Sequence, residues 1–283
     1  MGLIFDIRTA KLYENWCQSP KGRAMDKWME SAIPTLLSPR SDERVLDIGC
    51  GHGNNLLFFN KLGLDITGID ASPYMIDRAK ERLGHRCTLK QGTASDLPFE
   101  DNDFDLVIMI NTLEFLDSPM EALREAGRVA RRSVFVGALN SFSCYSQRNR
   151  IQGLFVKSLF KHARLYNLWE LKSQVRSAYG DVPMAWRCSQ LWPALLGESL
   201  GQRVAEHRAL NHFPFGPFLA LSADIQYLLR TEGHPLKVRL KKAGHSVADG
   251  LTMDKGASVK RKGVKESRIQ GFKGKNRENA QGI

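Results

Sequence analysis

The chain has 283 residues, 42% of them hydrophobic, and a formal net charge of +11. That length can bury the core of one large α/β domain with a lid or cap. No run approaches twenty apolar residues and the N-terminus lacks a signal-peptide pattern, so neither a membrane span nor a secretory leader is expected.

From residue 8 to 37, Leu12, Trp16, Met25, Trp28, Met29 and Ile33 recur at helical spacing. Ser19-Pro20-Lys21-Gly22-Arg23 breaks this stretch into two helices. Val45-Leu46-Asp47-Ile48-Gly49-Cys50-Gly51-His52-Gly53 then reads as an apolar strand entering a glycine turn, and Asn54 to Leu62 as the helix after it. A second strand, Leu64 to Asp70, ends on a carboxylate nineteen residues beyond Gly51. That spacing suits an acid at the next parallel strand tip, accepting hydrogen bonds from ribose hydroxyls. Pro73 to Leu83 is a helix capped by Ser72, and Phe104 to Met109 a strand. Ser118 to Val129 is a helix capped by Ser118, followed by a strand over Val134 to Leu139. The alternation predicts an α/β fold with a doubly wound, mostly parallel sheet.

After Asn140 the alternation stops. Residues 141–187 carry Phe142, Tyr145, Phe155, Phe160, Tyr166, Trp169, Tyr179 and Trp186, and read as a capping insertion, part of which could line a substrate pocket. Ser189 to Leu200 reads as a helix, and Arg203 to Leu210 and Pro217 to Ile225 as the closing strands. From Lys237 to Ile283 there are 13 Lys and Arg against 4 Asp and Glu, a balance of +9 with scarce apolar residues. This tail is expected to be disordered, with nucleic acid or anionic lipid as its possible contacts. The expected division is 1–39 as an N-terminal helical lid, 40–236 as the main domain and 237–283 as the basic tail.

The glycine turn resembles the first motif of the class I S-adenosylmethionine-dependent methyltransferases, Asp-x-Gly-x-Gly-x-Gly. It departs from the dinucleotide fingerprint because Gly53 comes one residue early and Asn54 stands where the last glycine would. Three further segments resemble that family in order: Gly68 to Ile76, Gln91 to Phe99 and Phe104 to Met109. The resemblance covers roughly residues 40 to 140. It implies a Rossmann-like sheet ending in an antiparallel hairpin, and S-adenosyl-L-methionine as cofactor. It also implies Gly49, Gly51 and Gly53 against the methionine part, Asp70 on the ribose, and Ala71 and Met75 near the adenosine. Thr93 and Ala94 would meet adenine, with Ile110 and Asn111 flooring the site. Thr93 stands where relatives usually carry Asp or Asn, so adenine recognition would rest on the backbone there or on Asp96 reaching back.

A sulfonium methyl group is already electrophilic, so its transfer demands positioning, and a base only where the acceptor is protonated. Glu114, Tyr13, His162 and His212 are the candidates, with Glu114 also readable as a solvated or helix-capping carboxylate. None is assigned as catalytic. Cys50 and His52 inside a glycine turn make a poor metal site, and no metal is expected; Cys50 reads as a small apolar filler. The five scattered cysteines suit a cytoplasm. The expected acceptor is an apolar or aromatic small molecule. An RNA methyltransferase using the basic tail and a non-catalytic S-adenosylmethionine-binding protein remain the alternatives.

Overall fold

The computed structural model describes residues 3–143, 163–189 and 213–225. The chain divides into two units, 1–236 and 237–283, and the described residues all fall in the first. Two helices, α1 (Ile7–Cys17) and α2 (Pro20–Leu37), come first. Asp6 caps α1 by accepting from Thr9 N–H at 2.7 Å, and Ser19 caps α2, with Pro20 in its first turn. The alternating part follows as β1 (Arg44–Ile48), α3 (Asn54–Lys61), β2 (Asp65–Asp70), α4 (Pro73–Leu83), β3 (Thr88–Gln91), β4 (Phe104–Ile110), α5 (Pro119–Val129) and β5 (Ala130–Leu139). Ser72 caps α4 as expected, whereas Ser118 precedes α5 without a side-chain cap bond.

The chain then continues with α6 (Leu168–Tyr179), β6 (Met184–Cys188) and β7 (Phe218–Asp224). The seven strands lie in the order β3-β2-β1-β4-β5-β7-β6. β1 to β5 pair in parallel, and β7 runs antiparallel between β5 and β6. The hairpin at the sheet edge is therefore built from 184–188 and 218–224. The strand expected over 203–210, and most of the helix expected over 189–200, lie outside the described residues.

Residues 168–188 are thus a helix and a strand of the main sheet, which corrects the reading of 141–187 as one capping insertion. Two of its aromatics are core residues. Tyr166 is fully buried and its hydroxyl donates to Leu113 O at 3.3 Å, while Tyr179 donates to Leu123 O at 2.7 Å. Each phenol can be buried because its hydroxyl keeps a partner.

Both sheet faces are covered, as a parallel sheet requires. On one side α2, α3 and α4 bury Met25, Met29, Ile33, Leu56, Phe59 and Ile76 against Val45, Ile66 and Ile108. On the other, α5 and α6 bury Leu123, Ala126, Leu171 and Val175 against Val107, Val134 and Val136. Each such Val, Leu, Ile, Phe or Met side chain contributes about 1.5–3 kcal/mol of burial. This holds the carboxyl edge of β1, β2 and β4 rigid, and the site is built there.

Candidate functional site

Strand order reverses between β1 and β4, and ligands of open α/β sheets bind outside the carboxyl ends at that point. A cavity of about 470 Å³ opens there. Its floor is the turn after β1. Gly49 N–H and Cys50 N–H donate to Ile69 O at 2.8 and 3.1 Å, tying the turn to β2. Gly49 has φ 72°, and a Cβ on it would stand 2.6 Å from the side chain of Thr112. Thr112 in turn donates from Oγ1 to Ile48 O at 2.9 Å, locking the ends of β1 and β4 together.

Gly51 N–H donates to Asp70 Oδ2 at 2.9 Å and Ser72 N–H to Asp70 Oδ1 at 2.8 Å. Burial raises the pKa of this carboxyl while the two N–H donors pull it back. Each oxygen keeps a lone pair, so Asp70 is held at the cavity wall as an oriented acceptor.

Asn111, immediately after β4, is 6% exposed and sits at φ 53°, a conformation few side chains adopt. Its N–H donates to Gly137 O at 2.9 Å, its Nδ2 lies 3.2 Å from Met25 Sδ, and its Oδ1 meets no donor among the described residues. His52, 8% exposed, likewise has a buried Nδ1 without a partner. Burial and then the Arg82 guanidinium push its pKa down to about 4, so the imidazole is neutral at neutral pH. Buried polar atoms left without partners are costly, and here both belong to cavity-lining residues.

The N-terminal segment closes the cavity from above. Phe5 packs edge-on against Tyr13 and Phe115, with ring centroids 5.7 and 5.1 Å apart. Ser72 Oγ donates to Phe5 O at 2.6 Å, Leu3 N–H donates to Phe115 O at 2.9 Å, and Arg78 pairs with Glu14 at 3.1 Å. Leu3, Ile4, Phe5, Phe115 and Leu116 give this side an apolar surface. Tyr13 lines it too, its phenol pushed well above the ordinary range, first by burial.

Of the residues singled out from sequence, Gly49, Gly51, Asp70, Ala71, Met75, Thr93, Ala94, Ile110 and Asn111 all line the cavity. Gly53 does not. It caps α3 at φ 84°, and a Cβ there would lie 2.5 Å from Leu83 Cδ1, so its smallness serves the packing of α3 on α4. Asp96 does not line the cavity either; it bridges back to Thr93 through the backbone, while Ser95 faces the cavity.

Glu114 is neither solvated nor a helix cap. It is 1% exposed and away from the cavity lining, and its Oε1 accepts from Leu139 N–H at 2.7 Å, pinning the end of β5. His162 and His212 lie outside the described residues, and no described residue of 141–187 lines the cavity. Phe5 and Ser95 were not singled out from sequence. Phe5 carried one signal, an apolar trio (Leu3, Ile4, Phe5) directly before the Asp6 cap.

Residues 46–136 match the family described as a methyltransferase domain. An uncharacterized methyltransferase of Schizosaccharomyces pombe is 28% identical over 54% of this chain and 55% of its own length. The rice (Oryza sativa subsp. japonica) 2-methyl-6-phytyl-1,4-hydroquinone methyltransferase 2 is 32% identical over 37% of this chain and 32% of its own length. Among solved structures, a Thermotoga maritima S-adenosylmethionine-dependent methyltransferase, titled a possible histamine N-methyltransferase, is similar at TM-score 0.57. It is 24% identical, with 77% of this chain and 97% of that one covered. The chain spans about half or less of the length of these curated relatives.

Fold and cavity together define a Rossmann-like domain with an open cleft at the carboxyl end of its sheet. Over residues 46–136, about a third of the chain, it is similar to the S-adenosylmethionine-dependent methyltransferases. The cleft suits that cofactor. The position of a Cβ on Gly51 has only the Tyr13 ring near it, at 3.9 Å, so backbone can approach a ligand closely. The lone acceptor Asn111 Oδ1 matches an ammonium, and the oriented Asp70 carboxylate matches a diol.

Proposed function

We propose that this protein transfers a methyl group from S-adenosylmethionine to an apolar or aromatic small molecule. The observation that carries the reading is the composition of one cavity. One wall is the glycine turn with Asp70 and Asn111, and the other is Leu3, Ile4, Phe5, Phe115 and Leu116. In this reading Gly49 and Gly51 lie along the methionine part and Asp70 accepts from the ribose hydroxyls. Ala71 and Met75 pack on the adenosine, and Thr93 and Ala94 offer backbone groups to adenine. Ile110 and Asn111 floor the site, with Asn111 Oδ1 accepting from the ammonium.

The cofactor supplies an electrophilic methyl group; the protein's part is to hold an acceptor in line and keep water out. Closure by the Phe5 segment supports the second role, and the apolar wall favours an apolar acceptor. The rice relative is named for a hydroquinone with a phytyl chain, which agrees with such a wall. No helix among the described residues is long and apolar enough to cross a membrane, and a cytoplasmic location is part of the proposal. The test is incubation with S-adenosylmethionine and a panel of phenols, hydroquinones, amines and a bulk RNA fraction, following S-adenosylhomocysteine release and product mass. Turnover on a phenol or hydroquinone supports the reading. Turnover on RNA alone refutes it.

A further inference from the structure

One carboxylate of the two N-terminal helices lines the cavity. Asp26, on α2, is half-buried there. Its Oδ2 accepts from Asn54 Nδ2 at 3.2 Å, and its Oδ1 meets no donor among the described residues. Two contacts fix where along the cavity it stands. Asn54 opens α3 directly after the glycine turn. Met25, the residue before Asp26, has its Sδ 3.2 Å from Asn111 Nδ2. Asp26 therefore belongs to the end of the cavity that carries the glycine turn and Asn111, whose buried Oδ1 is the acceptor without a partner.

The charges of the lining say what this carboxylate faces. Asp26, Asp70, Asp117 and Glu121 line the cavity, and no Lys or Arg among the described residues does. Such a lining attracts a cation. Burial and then Glu30 raise the Asp26 pKa to about 6, against Arg82 and the Asn54 bond, so the group is ionised at neutral pH. A charge withdrawn from water is costly unless it is paired. Asn54 is neutral, and Arg82 donates instead to His52 O at 2.9 Å. The methionine part of the cofactor carries one ammonium, which has three N–H donors to place. Asp26 and Asn111 Oδ1 offer it a charged and a neutral acceptor at the same end of the cavity.

We propose that Asp26 is a cofactor-binding residue whose carboxylate, together with Asn111 Oδ1, accepts from the α-ammonium of S-adenosylmethionine. This makes α2, and not the loops of the sheet alone, part of cofactor recognition. It rests on the reading of the glycine turn and Asn111 as the methionine end. The test is calorimetry with S-adenosylhomocysteine and with its analogue bearing hydrogen in place of the α-amino group, on the parent and on Asp26→Asn. Asparagine keeps an oxygen for Asn54 and removes the charge. Affinity for S-adenosylhomocysteine should fall about tenfold or more, and affinity for the deaminated analogue should not fall. Equal losses with both ligands would make Asp26 a structural residue and overturn the proposal. So would unchanged S-adenosylhomocysteine affinity in the folded variant, including the case where only the KM of a cationic acceptor rises; the methionine-end reading would then still stand. A parent that binds the two ligands equally well overturns that reading, and the proposal with it. Melting temperature reports folding, and Asp26→Ser carries the same comparison if Asp26→Asn does not fold.

Discussion

Replacing Glu114 by Gln separates a structural carboxylate from a catalytic base. In the folded protein burial pushes the Glu114 pKa from 4.5 up to about 7, against the Leu139 N–H bond that lowers it. A raised acid pKa means that the folded chain holds the proton more tightly than the unfolded one. Its contribution to stability is therefore full below the unfolded pKa and is lost as pH rises, levelling off above the folded pKa. The difference between 4.5 and about 7 is worth about 3 kcal/mol as an upper bound, since the group is fully buried. Gln keeps an oxygen for Leu139 N–H and removes the titration. Asp47, pushed up to about 8 by burial, titrates in both proteins and cancels in the comparison. Urea unfolding of parent and variant should thus show the variant gaining about 2–3 kcal/mol on the parent between about pH 5 and about pH 8. Affinity for S-adenosylhomocysteine should not change, because Glu114 does not line the cavity. Parallel pH curves would refute the burial argument. A variant as stable as predicted but without turnover would return Glu114 to the list of bases.

Asp70→Ala should weaken cofactor binding by about 1.5–3 kcal/mol in calorimetry, because charge-assisted bonds to the ribose are lost. Part of that loss comes from freeing Gly51 N–H and Ser72 N–H, so Asp70→Asn should lose less. Gly53→Ala should destabilise the fold by at least about 1–2 kcal/mol, since alanine resists φ 84° and its Cβ would meet Leu83. The cofactor affinity of the folded Gly53→Ala fraction should stay near that of the parent. A chain ending at Gly233 should melt within a few degrees of the full chain and bind cofactor equally, because the basic segment beyond it has few apolar residues to bury.

The readable parts of the sequence were those whose signal is local. Gly49, Gly51 and Asp70 are tied by turn geometry and strand length, and all three line the cavity. The same holds for α4, where Ser72, Pro73 and the apolar period agree. What escaped depends on distant partners. Gly53 looked like part of the ligand cradle because Leu83, the residue it must clear, belongs to another helix. Glu114 looked accessible because Leu139, its partner, is a strand away. β6 was hidden because Met184-Ala185-Trp186-Arg187-Cys188 shows no clean alternation of buried and exposed positions. Tyr166 and Tyr179 passed for cap residues because the carbonyls that let them be buried belong to Leu113 and Leu123.

The central claim is that the cavity between the glycine turn and the Phe5 segment holds S-adenosylmethionine. Calorimetric titration of the purified chain with S-adenosylhomocysteine, and in parallel with NAD, tests it most directly. The account predicts one site for S-adenosylhomocysteine, weakened in Asp70→Ala, and no measurable heat with NAD. Binding of NAD in its place, or S-adenosylhomocysteine affinity that Asp70→Ala leaves unchanged in a folded protein, would contradict it.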